Sequence, residues 1–424
     1  MKVLVIAHGH PEFSRGGAET AAYNLHKGLL LNGVESTFLA RSARSNEAHL
    51  SHQVIEQYNG GREYFWNVST SSYDTYTSDA DAAECKRFIN FVRDVDPEVV
   101  HFHHYFNVGS ELIYLIKRHL PYIRIVLTLH EFLAICARDG QMYKTNDKLC
   151  FKSSRKACVS CIGWGSKHYL ARELFFKNLF RNIDRFVSPS HFLKERYVDW
   201  GLDAGLIDVI ENAHLISSVP VKEAGETRAA DDSDNAVLKL GYFGQITPYK
   251  GLEVLLKAIA GLSADVRPRV RLYVYGANLS TQGEELRSTL MSLIEETADV
   301  VSFQGQYEPE QLPVLMSGID VMVIPSKWWE NSPMVIQEAF ANGVPVIASN
   351  IGGMLEKVNH EVDGLHFNVG DSGALGGVIG RLLSEDGLLD QLRSGIRMPA
   401  GLREIAQVHM SNVYGFNTPL KRVV

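Results

Sequence analysis

Residues 321–348 constrain the chain more than any other stretch. The run Val321-Met322-Val323-Ile324-Pro325-Ser326 is apolar without alternation, as a strand buried on both faces of a parallel sheet must be. It passes through Trp328-Trp329-Glu330-Asn331-Ser332-Pro333 into a helical segment, Met334 to Ala341. Gly343-Val344-Pro345 then closes the helix before a second strand, Val344 to Ala348. Ser332 suits a helix N-cap, and Pro333 suits the first helical position, where its missing N–H would have had no partner. In such a strand-turn-helix-strand unit, ligands sit beyond the carboxyl ends of the strands, where backbone N–H groups and the positive end of the helix favour an anion. Glu330 and Glu338 stand before and inside that helix. Two carboxylates so placed would repel a phosphate, so they read as acceptors of hydrogen bonds from hydroxyls, which sugars supply. Paired glutamates also occur by chance, but Glu338 lies between Val335 and Ala339-Phe340-Ala341 on an apolar helix, where a carboxylate needs partners.

The same alternation recurs on both sides. In the second half it includes strands Val237 to Phe243, Val270 to Tyr275 and Val300 to Phe303, with helices between them. In the first half it includes Lys2 to Ala7, Val34 to Ala40, Glu98 to His104, Arg124 to Leu129 and Ile207 to Glu211. Strands alternating with helices predict an α/β chain with two doubly wound, Rossmann-like parallel sheets. Ser217 to Asn235, polar, acidic and without periodicity, reads as the linker between a first domain, 1–216, and a second, 236–402. Arg41 to Ser78 shows no pattern that orders it. A chain of 424 residues has room for two such cores, and its net charge of −7 argues against a nucleic-acid partner. The N-terminal apolar run is too short for a signal peptide and no later run is long enough to span a bilayer, so a cytoplasmic protein is expected.

With these residues in view, the chain resembles the family 4 retaining glycosyltransferases of the GT-B fold. The likeness is carried by Glu330-x7-Glu338, by Pro325-Ser326 before it and by Gly343-Val344-Pro345-Val346-Ile347-Ala348 after it, and it extends along nearly the whole chain. It implies two Rossmann-like domains facing a central cleft, with Leu402 to Gly415 as a terminal helix that returns residues 403–424 to the first domain. It implies transfer of a sugar from a nucleotide diphosphate, UDP- or GDP-linked, to a sugar or lipid-linked glycan acceptor, in the making of a bacterial polysaccharide or another glycoconjugate. Gly16 and Gly17, at a strand-to-helix turn, look like the loop that touches the donor pyrophosphate, and His130 like the histidine that contacts the transferred sugar. Glu330 would hold the sugar hydroxyls and Glu338 the ribose. Lys250 would meet the diphosphate with the helix start at Ser332, Pro333, Met334 and Val335. Gln245 stands where the family usually offers an arginine. Without an Asp-x-Asp motif placed for diphosphate binding, catalysis is expected to need no divalent ion. Two rival functions are a nucleotide-sugar epimerase of the same fold, which would convert donor without acceptor, and a glycan- or nucleotide-binding scaffold without turnover.

Three further features stand apart from this pattern. His101 and His103 fall on one face of a strand and His104 on the other, which reads as cleft lining and not as a three-histidine metal site. Cys136, Cys150, Cys158 and Cys161, the last two as a C-x2-C pair, suit a closed structural zinc site that would order a loop poor in core. Four free thiols is the competing account, and an iron–sulfur cluster is a third. Between Lys167 and Asp184, cations alternate with aromatics at helical spacing. The favoured reading is a helix that buries its apolar face and solvates its charges, and the other is peripheral contact with an anionic membrane. The sequence leaves the oligomeric state open.

Overall fold

The computed structural model describes residues 1–14, 16–42, 53–146, 148–215, 237–277 and 279–415. The chain divides into two compact units, Met1–Leu215 with Ala400–Val424, and Ile216–Pro399. The predicted linker, 217–235, lies outside the described residues, as does the end of the tail from 416.

The first unit holds the strands β1 (Lys2–Ala7), β2 (Glu35–Ser42), β3 (Ile55–Tyr58), β4 (Glu63–Asn67), β5 (Val99–Phe102), β6 (Arg124–Thr128), β7 (Arg185–Ser188) and β8 (Ile207–Val209). They form one sheet in the order β3-β4-β2-β1-β5-β6-β7-β8, parallel throughout except where β3 runs antiparallel to β4. β3 and β4 come from the stretch in which the sequence showed no order. The chain winds outward from β1 in both directions, so the switch point lies between β1 and β5. The loops that follow those two strands carry His8 to Gly17 and His103-His104.

The C-terminal segment completes this unit. Its helix, Leu402–Val408, packs on the first helix, Gly17–Leu31, and the π-helical turn His409–Val413 that continues it contacts β7. Leu402, Ile405, Ala406, Val413 and Tyr414 share one core with Val3, Val5, Leu25, Leu29 and Phe38. The helices approach closely because residue 28 is glycine: a β-carbon there would collide with the Leu402 carbonyl. Asn32 Nδ2 donates to the Arg403 carbonyl at 3.0 Å, and the Tyr414 hydroxyl meets His101 Nδ1 at 2.7 Å.

The second unit holds β9 (Leu238–Gln245), β10 (Val270–Ala277), β11 (Val301–Gly305), β12 (Val321–Ile324), β13 (Val346–Ser349) and β14 (Gly364–Phe367). They lie wholly parallel in the order β11-β10-β9-β12-β13-β14, the arrangement of a Rossmann sheet. The switch point here falls between β9 and β12, so the loops 246–251 and 325–333 leave the sheet side by side. Two backbone features hold them together. Lys327 N–H donates to the Tyr249 carbonyl at 2.8 Å, and Gly251, at φ +71°, lies so close to the Pro325 carbonyl that no β-carbon fits. Among the described residues no helix is long and apolar enough to cross a membrane.

The helix Ser166–Phe180 buries Tyr169, Phe176, Leu179 and Phe180, as the apolar-face reading expects. One cation departs from that reading. Arg172 is buried, donating to the Leu133 and Ala134 carbonyls and lying over the Phe176 ring at 4.6 Å. It is held because a buried guanidinium requires acceptors, and these two carbonyls supply them.

Candidate functional site

In the second unit, the structure brings Lys250 and Glu330 together at the switch point. Glu330 is 9% exposed, and its Oε1 accepts three hydrogen bonds: from Lys250 Nζ at 2.6 Å, Ser326 Oγ at 2.9 Å and Trp328 Nε1 at 3.0 Å. Burial pushes the carboxyl up, but the ammonium and the two neutral donors outweigh it and hold Glu330 below the ordinary carboxylate range. Trp328 stacks on Tyr249 with ring centroids 5.1 Å apart and 17° between planes, so residues of both switch-point loops enclose one carboxylate. Sequence reasoning missed Ser326 and Trp328 in this role. The signal was present in Trp328, an indole two positions before a carboxylate in a tight loop.

The backbone of Glu330 is pinned as firmly as its side chain. Gly353 N–H donates to the Glu330 carbonyl at 2.6 Å, and a β-carbon on Gly353 would run into the Asn331 carbonyl. Gly353→Ala is therefore expected to push the 330–331 backbone aside and cost about 2–3 kcal/mol of stability, read as a lowered urea midpoint. An unchanged midpoint would mean that this loop yields freely.

The start of the following helix differs from expectation. Helical geometry begins at Met334; Pro333 is the cap residue with ψ 117°, and no side chain caps the helix, so Ser332 is not the N-cap. The Glu330 contact with Gly353 holds the loop with its bend at Asn331, one residue before Ser332. Met334 and Val335 open the helix half-buried, and Gln245 ends β9 exposed, accepting at its carbonyl from the Tyr242 hydroxyl at 3.0 Å. Lys250 lies in the turn before the helix Leu252–Ala260 and not in its first turn. Glu338 makes no hydrogen bond or ion pair with the Lys250–Glu330 pair. It is half-buried on the helix Met334–Ala341, and burial without a compensating cation raises its carboxyl to about 7. Tyr307 lies near enough for its hydroxyl to be raised by burial and by the Glu338 charge.

In the first unit, the switch-point loops gather histidines and carboxylates. Glu19 is buried in the first turn of the helix Gly17–Leu31, accepts from Ser14 Oγ at 2.7 Å and pairs with His8 Nε2 at 3.2 Å. Burial alone would raise this carboxyl; His8 and Ser14 instead bring it down to about 2. A β-carbon on Gly16 would collide with Glu19, so the first glycine of the pair is fixed by this contact, while Gly17 opens the helix exposed. His104 Nε2 meets Glu131 Oε2 at 2.9 Å, and the His104 ring lies 4.5 Å from that of His8. His130 Nε2 meets His103 Nδ1 at 3.1 Å, and burial lowers His130 to about 4, so it is a neutral hydrogen-bonding group at neutral pH. Sequence reasoning placed His130 and the glycines here and missed His8, Glu19 and Glu131, of which Glu19 directly follows the glycine turn.

The predicted zinc site is not assembled. Among the described residues no three or more of His, Cys, Asp and Glu are grouped to hold a metal. The sulfurs turn to separate partners: Cys136 Sγ donates to the Arg138 carbonyl, Cys150 Sγ to that of Lys152, and Cys161 Sγ meets Thr145 Oγ1. Burial raises the Cys136 and Cys150 thiols. Spacing identified the ligand type but not the direction of the side chains.

Comparison with known proteins bears on family and fold. Residues 225–397 match the family model "Glycosyl transferases group 1", and residues 15–214 match "Glycosyltransferase Family 4". The chain is 21% identical over 372 residues to an uncharacterised 42.6 kDa protein of the cps region of Klebsiella pneumoniae, covering 84% of this chain and 87% of that one. It is 28% identical over 189 residues to the lipopolysaccharide 1,2-N-acetylglucosaminetransferase of Salmonella typhimurium, covering 44% of this chain and about half, 49%, of that enzyme. Among solved structures, Anabaena HepE in complex with UDP superposes with TM-score 0.66 at 17% identity, covering 97% of this chain and 99% of that one. Sucrose-phosphate synthase of Thermosynechococcus elongatus does so with TM-score 0.69 at 19% identity, covering 98% of each. These likenesses identify the fold as GT-B.

Proposed function

Since the chain belongs to the family 4 glycosyltransferases, we propose that it moves a sugar from a nucleotide diphosphate to an acceptor hydroxyl with retained anomeric configuration, in the assembly of a polysaccharide or other glycoconjugate. The observation that carries this reading is the Lys250–Glu330 pair at the switch point of the second unit, a cation and an ionised hydrogen-bond acceptor where a Rossmann sheet binds its ligand. The named Salmonella and HepE relatives support an N-acetylhexosamine or UDP-linked sugar as donor class, and a GDP-mannose-dependent mannosyltransferase of Corynebacterium glutamicum, 28% identical over 200 residues, supports the GDP alternative.

In this reading the bond from the anomeric carbon to the diphosphate breaks, the bond to the acceptor oxygen forms on the same face, and the acceptor proton passes to the departing phosphate oxygen. The barrier lies in separating charge, so the diphosphate must be stabilised as it leaves. Lys250 and the first amides of the helix Met334–Ala341 serve that end, Glu330 takes the sugar hydroxyls and Glu338 the ribose. On the first unit, Gly16 and Gly17 are assigned to the diphosphate and His130 to the sugar. Family 4 enzymes generally act without a metal ion, and no step is assigned to one.

A panel of nucleotide sugars screened for thermal stabilisation tests the donor directly, since a ligand that prefers the native state raises its melting point. Donor consumed without acceptor, with an isomeric nucleotide sugar as product, would speak for an epimerase instead. Glu338 adds a pH signature. A carboxyl raised to about 7 is largely protonated below that pH, whereas ribose hydroxyls are best held by the ionised form. Donor affinity is therefore expected to rise with pH through about 7, by up to about tenfold per unit on the acid side. Glu338→Gln should flatten that dependence in calorimetry; a wild-type protein whose affinity ignores pH would remove Glu338 from the ribose.

A further inference from the structure

Lys250 is asked to do two things. Its ammonium lies on Glu330 Oε1 at 2.6 Å, yet the reaction proposed above needs positive charge at a diphosphate. When a counter-ion is drawn from a carboxylate as buried as Glu330, the carboxylate takes up a proton unless other donors stay with it. Two donors are placed to stay. Ser326 and Trp328 belong to the same loop as Glu330, so they do not travel with Lys250, and the Trp328 ring is braced against Tyr249 at 17° between planes. All three donors converge on Oε1, and no described residue donates to Oε2, which is left for a substrate hydroxyl.

The remaining groups around Glu330 cannot take over. Tyr242, beneath it, spends its hydroxyl on the Gln245 carbonyl. The nearby Glu253 would repel, and it already holds Lys327, the next cation of the same loop. The helix Gly352–Lys357 offers the Glu330 main chain its Gly353 amide, and its one cation, Lys357, stands in the last turn, four residues on from Gly353.

We propose that Trp328, with Ser326, is a positioning residue for transfer: it keeps Glu330 ionised and aimed through Oε2 at the sugar while Lys250 is shared with the departing diphosphate. This rests on the assignment of Glu330 to the sugar and Lys250 to the diphosphate. It also accounts for an indole at a position where a phenyl ring would stack equally well on Tyr249.

Trp328→Phe keeps the stack and removes the N–H; Ser326→Ala removes the second donor and leaves the stack untouched. Calorimetry with UDP-glucose, GDP-mannose and UDP-N-acetylglucosamine at pH 7, in buffers of different ionisation enthalpy, counts the protons exchanged on binding. With the nucleotide sugar that binds, the double variant is expected to take up about one proton more than the wild type, and each single variant a fraction of that. The acid limb of the turnover profile should move up by about one pH unit or more in Trp328→Phe, with kcat about tenfold lower and nucleotide-sugar affinity nearly unchanged. A double variant that folds, binds and exchanges the same number of protons as the wild type overturns the proposal. Wild-type protein that binds none of UDP-glucose, GDP-mannose and UDP-N-acetylglucosamine overturns the parent reading instead, and this one with it.

Discussion

Glu330→Gln is expected to lower sugar transfer by about two to three orders of magnitude while changing nucleotide affinity by no more than a few-fold. The amide is nearly isosteric, so the Ser326 and Trp328 donors still find an oxygen and the loop stays in place. The negative charge is lost, and with it two things. Hydrogen bonds from substrate hydroxyls weaken, because a charged acceptor binds about twice as strongly as a neutral one. Lys250 also loses the partner that positions its ammonium at 2.6 Å. Both losses fall on the reacting sugar and not on the base or ribose. Initial rates of transfer, with nucleotide binding measured in parallel, separate the two effects. Turnover at the wild-type level would remove Glu330 from the reaction, and a large loss of nucleotide affinity would move it to the nucleotide.

The second large effect is on stability, and it concerns the first unit. His26, His101, His103 and His409 are each less than 5% exposed, and burial is the main cause that lowers all four: His26 to about 4, His409 to about 3, His101 and His103 well below the usual range. In the unfolded chain each takes a proton near pH 6.5, whereas the native state refuses it until much lower pH. The unfolded state therefore binds more protons between about 6.5 and 4, and stability falls as pH falls through that window. At pH 5 His26 and His409 each contribute a loss of about 2 kcal/mol, and His101 and His103 act in the same direction, against a total of about 5–15 kcal/mol for an ordinary domain. Of the 16 histidines only His360 and His366 lie in the second unit's span, 216–399. Hydrogen exchange on the intact chain at pH 7.5 and pH 5, corrected for intrinsic rates, should show β1, β5 and β6 losing protection before β9 and β12. Equal loss in both units, or none by pH 5, would mean that these imidazoles gain protons without unfolding.

The sequence was most legible where periodicity is strong and least where side chains from distant segments decide the outcome. The buried runs of β1, β5, β9 and β12 could be read directly because parallel strands covered on both faces are apolar at most positions without alternation. β4 could not: Glu63-Tyr64-Phe65-Trp66-Asn67 mixes charge, aromatics and amide, and its place is settled by pairing with β2 and by Trp66 Nε1 donating to the Val108 carbonyl. Ser332 has the chemistry of a helix cap, but the distant Gly353 amide decides where that loop goes. Glu330 and Lys250 were identified through resemblance, yet their direct contact joins residues 80 positions apart and no local pattern encodes it. His8 with Glu19, and Trp328 with Glu330, are short-range pairs that could have been suspected. The cysteines show the opposite failure, in which a suggestive spacing conceals sulfurs that turn to different partners.

The interleaving of the two units has a consequence for the chain as it is made. The first unit's core includes Leu402, Ile405, Val413 and Tyr414, all of which leave the ribosome after the whole of 216–399. The second unit can thus close its sheet during translation, while the first must wait with the faces of Leu25 and Leu29 uncovered. Chains truncated at residue 399 and released should accordingly present a finished downstream unit beside an upstream one that chaperones still recognise.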